Sequence, residues 1–229
     1  MAREYPATLS RDEFESAIWL DFEGLHGEET LPSFAGTLID GDFNFTILNE
    51  DLKMLEKSRM GLSYVEIGDF TESLVERAVS EGRVIVGYSE HDLGRIRKIS
   101  EKHDENMRIH YRNANLLAKK FFKKNRRKTY QKLKKKAEEA EKKVGLKDYL
   151  KLDYVGYDYP NLPEEFRPST AIANLISQCR KKSTYSRMTE TSKQRLKLLK
   201  EYNEHDCKGM KHLVEYIFSR KPSSDEISH

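Results

Sequence analysis

The 229-residue chain carries 41 Lys and Arg against 38 Asp and Glu, so its formal net charge is only +3 although 34% of its residues are charged. Its hydrophobic fraction of 37% suffices for the core of one good-sized α/β domain, and no apolar run approaches the roughly 18 residues of a membrane-spanning helix. The two cysteines, Cys179 and Cys207, lie far apart without CxxC spacing, which argues against a disulfide framework or a zinc site.

The opening MAREYPATLSRDEFES has no basic segment leading into an apolar one, so a cytoplasmic protein without a secretory signal is expected. Ser16 to Phe22 is an apolar run broken by Gly24 and Gly27 and predicts a buried strand with Asp21 and Glu23 at its end. Ser33 to Ile39 and Phe43 to Leu48 flank Asp40-Gly41-Asp42, a hairpin signal that makes the first three strands an antiparallel meander. Apolar spacing from Gly68 to Glu81 predicts a helix stopped by Gly82, followed by a strand over Arg83 to Tyr88.

From Ser89 the pattern turns helical again, which puts Asp92 at a strand-to-helix junction, a place where ligands collect. Asn106 to Tyr111 reads as a short fifth strand. Ala114 to Lys143 reads as one long basic helix, with 112–145 as an insertion or arm. Leu146 to Pro160 begins as a short helix and becomes an aromatic loop, and a further helix is expected around Ser169 to Arg180. A polar, mobile linker over Lys181 to Ser192 leads to the last helix, Lys193 to Ser219, and 221–229 is expected to be a flexible tail after a single 1–220 domain.

On that last helix Leu199, Tyr202, Asp206, Met210, Leu213 and Ile217 recur in steps of three and four, so a carboxylate falls within an apolar stripe. An isolated buried carboxylate is costly, and metal coordination is one way to keep it charged. Asp21 and Glu23, two apart, leave one face of a strand and can hold divalent metal together. For Asp92 the competing reading is a helix N-terminus favoured by the dipole. Tyr202 lies one helical turn from Asp206, within reach of a water held there. His91 adjoins Asp92 and stands near enough to contact a scissile phosphate. The remaining histidines, among them His26, His103 and His205, show no HxH or HExxH spacing.

Taken together, D-x-E at Asp21 and Glu23, a central aspartate at Asp92 and Tyr202-x-x-x-Asp206 resemble the tyrosine branch of the DEDD exonucleases in the ribonuclease-H-like superfamily. LPSFAG, GYSEHD, LKDYLK and YNEHDC resemble more closely the ribonuclease-H-like nucleases found alone or joined to RecB-type nuclease modules. The match runs in order across nearly the whole chain, the basic helix being its least family-like part. One departure is Ser89 or Glu90 where many relatives place an asparagine.

The resemblance implies an α/β fold, a ribonuclease-H-like mixed sheet flanked by helices. It also implies a two-metal 3′–5′ exonuclease in which Asp21, Glu23, Asp92 and Asp206 bind two Mg²⁺ or Mn²⁺ ions and Tyr202 orients the attacking water. The expected partners are single-stranded DNA or RNA 3′ ends, with another nuclease or a helicase as a protein partner. Lys119, Lys120, Lys123, Lys124, Arg126, Arg127 and Lys128 could grip phosphates while Phe121, Phe122 and Tyr130 stack bases; a solvated helix with its aromatics packed inward is the competing reading. Two other functions compete with the enzyme: an inactive nucleic-acid-binding or nuclease-partner module of the same fold, and a structural protein whose basic helix docks an acidic partner. Neither accounts for four acids and a tyrosine at these positions.

Overall fold

The computed structural model describes residues 6, 8–25, 27, 30–99, 104–160, 163 and 166–220. The tail 221–229, His26 and His103 lie outside the described residues. Helix α1 (Arg11–Glu15) is started by a Ser10–Glu13 capping box. Strands β1 (Ile18–Gly24), β2 (Pro32–Ile39) and β3 (Asp42–Ile47) form the expected antiparallel meander. The β2–β3 turn is two residues long, Asp40 and Gly41, with φ of 53° and 95°, the mirror-image turn that matches strand twist.

A 3₁₀ helix (Glu50–Ser58) capped by Asn49 then leads to β4 (Ser63–Tyr64), which extends the sheet parallel to β3. Helix α2 (Ile67–Ser80) precedes β5 (Ile85–Gly87), which pairs parallel to β1, and α3 (Glu90–Ile99) follows. The stretch read as a strand at Asn106 to Tyr111 is instead helix α4 (Asp104–His110), and only Tyr111 belongs to the strand beyond it, β6 (Tyr111–Asn113). Met107 and Ile109 mimic strand alternation, but Met107 is buried while Ile109 faces solvent. Among the described residues the strands form one mixed sheet in the order β4-β3-β2-β1-β5-β6.

The single basic helix divides in two, α5 (Ala114–Asn125) and α6 (Arg127–Glu139), at Arg126, whose φ of −140° breaks the helical path. Helix α7 (Leu146–Leu150), an irregular loop, α8 (Pro168–Lys181) and α9 (Glu190–Ser219) complete the chain. The linker expected to be mobile is ordered: a 3₁₀ turn at Tyr185–Arg187, a buried Met188 and a Thr189 cap carry the chain into α9.

Strand alternation sorts β1 between two cores. Ile18, Leu20 and Phe22 face α2, α3 and α4, while Trp19 packs with α5, α6, α7 and α9. Asp21 and Glu23 share the Trp19 face and so point toward α9. A third core, under α8 and the 3₁₀ helix, holds Phe34, Phe45, Leu52, Leu175 and Leu199.

Phe121, Phe122 and Tyr130 belong to the α9 core rather than to a base-stacking surface: Phe122 is 0% exposed and stacks on Tyr149 at 4.8 Å, and Phe121 meets Tyr216 edge-on at 5.9 Å. Their apolar surface is stabilised more by burial than by any exposed contact. The segment 112–145 is therefore seated on the body, with Lys119, Lys120, Lys123, Lys124, Arg126, Arg127 and Lys128 exposed on its outer side.

Candidate metal centre

The approach of α9 to the sheet decides the site. Gly36 on β2 lies opposite Asp21 on β1, and a Cβ there would fall 1.5 Å from Asn203 Oδ1. Lacking a side chain, Gly36 lets α9 come close enough for the Asn203 amide to donate to Asp21 Oδ2 at 2.7 Å and to the Asp21 carbonyl at 3.2 Å. Cys207, one turn on, donates its thiol to the Gly36 carbonyl at 3.6 Å. Between these two contacts α9 carries Asp206 toward β1. Asp21, Glu23 and Asp206 then each offer a carboxylate oxygen, all within 4.8 Å of one another.

The three carboxylates keep a partly exposed edge but are otherwise enclosed by protein. Burial, then the charges of Glu23 and Asp206, holds the Asp21 carboxyl well above its ordinary range. Burial and the charge of Asp206 push Glu23 up to about 8. Burial also lifts Asp206 to about 6, against the opposing pull of Lys147 and of the Tyr159 and Tyr202 hydroxyls. The Tyr159 hydroxyl donates to Asp206 Oδ1 at 3.0 Å.

Asp92 stands beside this triad rather than within it. It is buried in the first turn of α3, and its Oδ2 accepts from the Ser89 backbone N–H at 3.3 Å and from the Ser89 hydroxyl at 3.5 Å. Ser89 thus acts as the aspartate's local partner. Burial raises the Asp92 carboxyl, with the Ser89 amide opposing, and its charge in turn raises those of Asp21 and Glu23. Gly87 makes room for this turn, since a Cβ there would stand 2.5 Å from the Tyr111 hydroxyl and 3.2 Å from Asp92.

Tyr202 reaches the centre as its spacing predicts, near enough for the charges of Asp206, Glu23 and Asp21 to act on its phenol. Burial, then the Asp206 charge, raises its phenol far above the ordinary value. His205 points elsewhere, as its position next to Asp206 requires, with Nδ1 2.9 Å from the Tyr157 hydroxyl.

The sequence reading missed Tyr159, which donates to Asp206, and two further residues. Asn203, 0% exposed, holds Asp21; nothing in a helical asparagine announces that role, although its place between Leu199 and Cys207 on the buried face is a usable signal. Lys147 on α7 lies with its Nζ 3.6 Å from the centroid of the Tyr202 ring, a cation–π contact, and its charge acts on Asp206, Glu23 and Asp21. Burial lowers its ammonium and the three acids oppose that. Lys147 sits inside the LKDYLK motif quoted above, which was the available cue. It is placed by α7 packing hard on α9 at Gly209, where a Cβ would meet Leu150 Cδ1 at 2.5 Å.

Fold and site together define an α/β protein with a mixed sheet flanked by helices and a carboxylate triad at the end of its central strand. The chain matches none of the protein-family models, curated proteins or solved structures it was compared with. Among the described residues no helix is long and apolar enough to cross a membrane.

The donor set itself fits a hard divalent cation. Oxygen ligands from three carboxylates share a small volume, each holds its proton more tightly than usual, and the nearby cations acting on them are Lys147 and Arg95. Positive charge supplied from outside would relieve that repulsion.

Proposed function

We propose that the protein is a metal-dependent 3′–5′ exonuclease of the ribonuclease-H-like, DEDD tyrosine type, hydrolysing single-stranded DNA or RNA from its 3′ end. The observation that carries this reading is the convergence of Asp21, Glu23 and Asp206, from a strand end and the last helix, to within 4.8 Å. Asp21, Glu23 and Asp206, with Asp92 at their side, would hold Mg²⁺ or Mn²⁺. When bound, such ions supply positive charge that eases deprotonation of the attacking water and stabilises the leaving 3′ oxygen.

The chain's own residues divide the remaining work. Asn203 fixes the Asp21 carboxylate so that it meets a ligand in one orientation. Tyr159 does the same for Asp206, with the Tyr202 phenol beside that carboxylate. With its proton so firmly held, Tyr202 serves as a neutral hydroxyl that orients water and not as a base. Lys147 offsets the mutual repulsion of the acids and offers a cation to a phosphate. In the reaction a water oxygen bonds to phosphorus, the bond from phosphorus to the 3′ oxygen breaks, and that oxygen takes up a proton. The exposed basic residues of α5 and α6 supply non-specific affinity for the strand.

Digestion of 5′-labelled single-stranded DNA and RNA with Mg²⁺ or Mn²⁺, beside Asp21→Ala and Asp206→Ala, tests the proposal. A metal-dependent ladder that both variants lose is expected. Salt-sensitive binding of the strands with no ladder under any metal would overturn the exonuclease in favour of an inactive binding module.

A further inference from the structure

Two cavities meet at Tyr202 and Arg167, and they differ in character. One, of about 590 Å³, is walled by aromatic rings, among them Tyr157, Tyr159, Phe166 and Tyr202. It shares Pro163, Phe166 and Arg167 with a further cavity of about 570 Å³, so together they make an extended groove. The other, of about 310 Å³, lies past the end of β1 against Glu23 and Gly24 and is lined by His91, Arg95 and Arg167. It stands near the small end of the roughly 300–1,000 Å³ range of ligand cavities, and Glu23 is the acid among its described lining residues.

Arg95 is the unusual wall. Its Nε and Nη1 are enclosed by protein without a hydrogen-bond partner among the described residues, and Nη1 would lie 3.3 Å from a Cβ on Gly24. Enclosed guanidinium donors left unmatched are destabilising, and an anion within reach of the same fork recovers the loss. His91 and Arg95 are four apart on α3 and so present one face to the cavity. Arg167 closes it from the residue before α8. The charges of Glu23 and Asp92 act on Arg95, yet neither carboxylate accepts a hydrogen bond from its Nε or Nη1.

We propose that this cavity is a phosphomonoester subsite, in which Arg95, with Arg167 and His91, binds the phosphate of a 3′-phosphorylated terminal nucleotide while the strand leaves through the aromatic groove beyond Tyr202. The proposal rests on the exonuclease reading and adds an end-group preference to it. Glu23 separates the subsite from Asp21 and Asp206, so the group held by Arg95 lies beyond the phosphate that reacts.

Calorimetric titration with adenosine 3′,5′-bisphosphate and adenosine 5′-monophosphate in Mn²⁺ compares two mononucleotides that offer no phosphodiester to cleave. The bisphosphate is expected to bind at least about tenfold more tightly, the effect of one charge-assisted contact. Arg95→Gln should bring that ratio to about one and Arg95→Lys should keep part of it, with melting curves showing that both variants fold. Equal affinities in the unaltered protein, or a ratio that survives Arg95→Gln, overturns the subsite. A second arm compares oligonucleotides ending in a 3′-phosphate or a 3′-hydroxyl. The same advantage for the phosphorylated strand supports the assignment, and an advantage confined to the free bisphosphate overturns it. An Arg95-dependent ratio in a protein that digests no strand leaves the anion site standing and removes the exonuclease; digestion without any ratio removes the subsite alone.

Discussion

The carboxylate centre and the basic helices α5 and α6 hold charge in opposite ways. At the centre, three acids are crowded and largely enclosed, and two of them are fixed by a named partner: Asn203 for Asp21 and Tyr159 for Asp206. On α5 and α6 the cations are exposed, and what is fixed is the apolar underside, Phe121, Phe122 and Tyr130. Enclosed charge makes position decisive, because repulsion in a weakly screening interior falls on particular atoms. Exposed charge makes only the sum matter, because water and salt blur the location of each group.

The strongest way to break this contrast is at Gly36. Gly36→Ala places a carbon 1.5 Å from Asn203 Oδ1, so either the Asn203 amide must swing off Asp21 or α9 must retreat. A loss of about 3 kcal/mol or more is expected, seen as a fall in melting temperature on the order of 10 °C. Adding Asn203→Ala removes the colliding atom, so the double variant should melt well above Gly36→Ala while losing the clamp on Asp21. A double variant no more stable than the single one would show that the collision does not set the distance between α9 and the sheet.

A smaller effect follows from the raised carboxyls. Glu23 lies at about 8 against an ordinary 4.5, and Asp206 at about 6 against 3.8. Between these limits the folded state binds more protons than the unfolded one, so metal-free stability falls as pH rises from about 4 to 8. Melting curves in chelator should drop on the order of 5 °C across that range. Mn²⁺ should largely remove the slope, and Asp206→Asn should make it shallower without metal, the part due to the burial of Glu23 remaining. A metal-free melting temperature that is flat from pH 5 to 8 would contradict the crowding of the triad.

The smallest effects belong to the basic surface. Lys119, Lys120, Lys123, Lys124, Arg127 and Lys128, replaced singly by glutamine, should each move stability by no more than about 0.5 kcal/mol. Each should lower the slope of strand affinity against salt by at most about 0.7. Filter-binding titrations over a salt series would measure this, and an unchanged slope after all six replacements would remove this surface from binding.

The same division explains what the sequence made legible. The meander was readable because apolar runs and Asp40-Gly41-Asp42 are local signals, and β1 showed its D-x-E directly. The last helix was readable in period, and Leu199, Met210, Leu213 and Ile217 of its stripe are buried. Its buried line runs Leu196, Leu199, Asn203, Cys207, Met210, so Tyr202 and Asp206 sit at the border of the packed face. Asn203 and Lys147 gain their roles only from the approach of α9 to β2 and of α7 to α9, contacts between residues remote in sequence. The break at Arg126 had no glycine or proline to announce it, and the strand read at Asn106 to Tyr111 failed because Ile109 faces water. The aromatics of α5 and α6 look alike in sequence whether they face a base or a core.

Tyr202 lines both the small cationic cavity and the aromatic groove, which makes its ring a partition. A ligand occupying both compartments has to turn a corner around it. A single strand turns such a corner freely, whereas duplex DNA is stiff over roughly 150 base pairs and must fray before its end can do so. Were the proposed substrate to occupy both cavities, a preference for unpaired ends would follow from the place of one tyrosine, without any contact that reads a base.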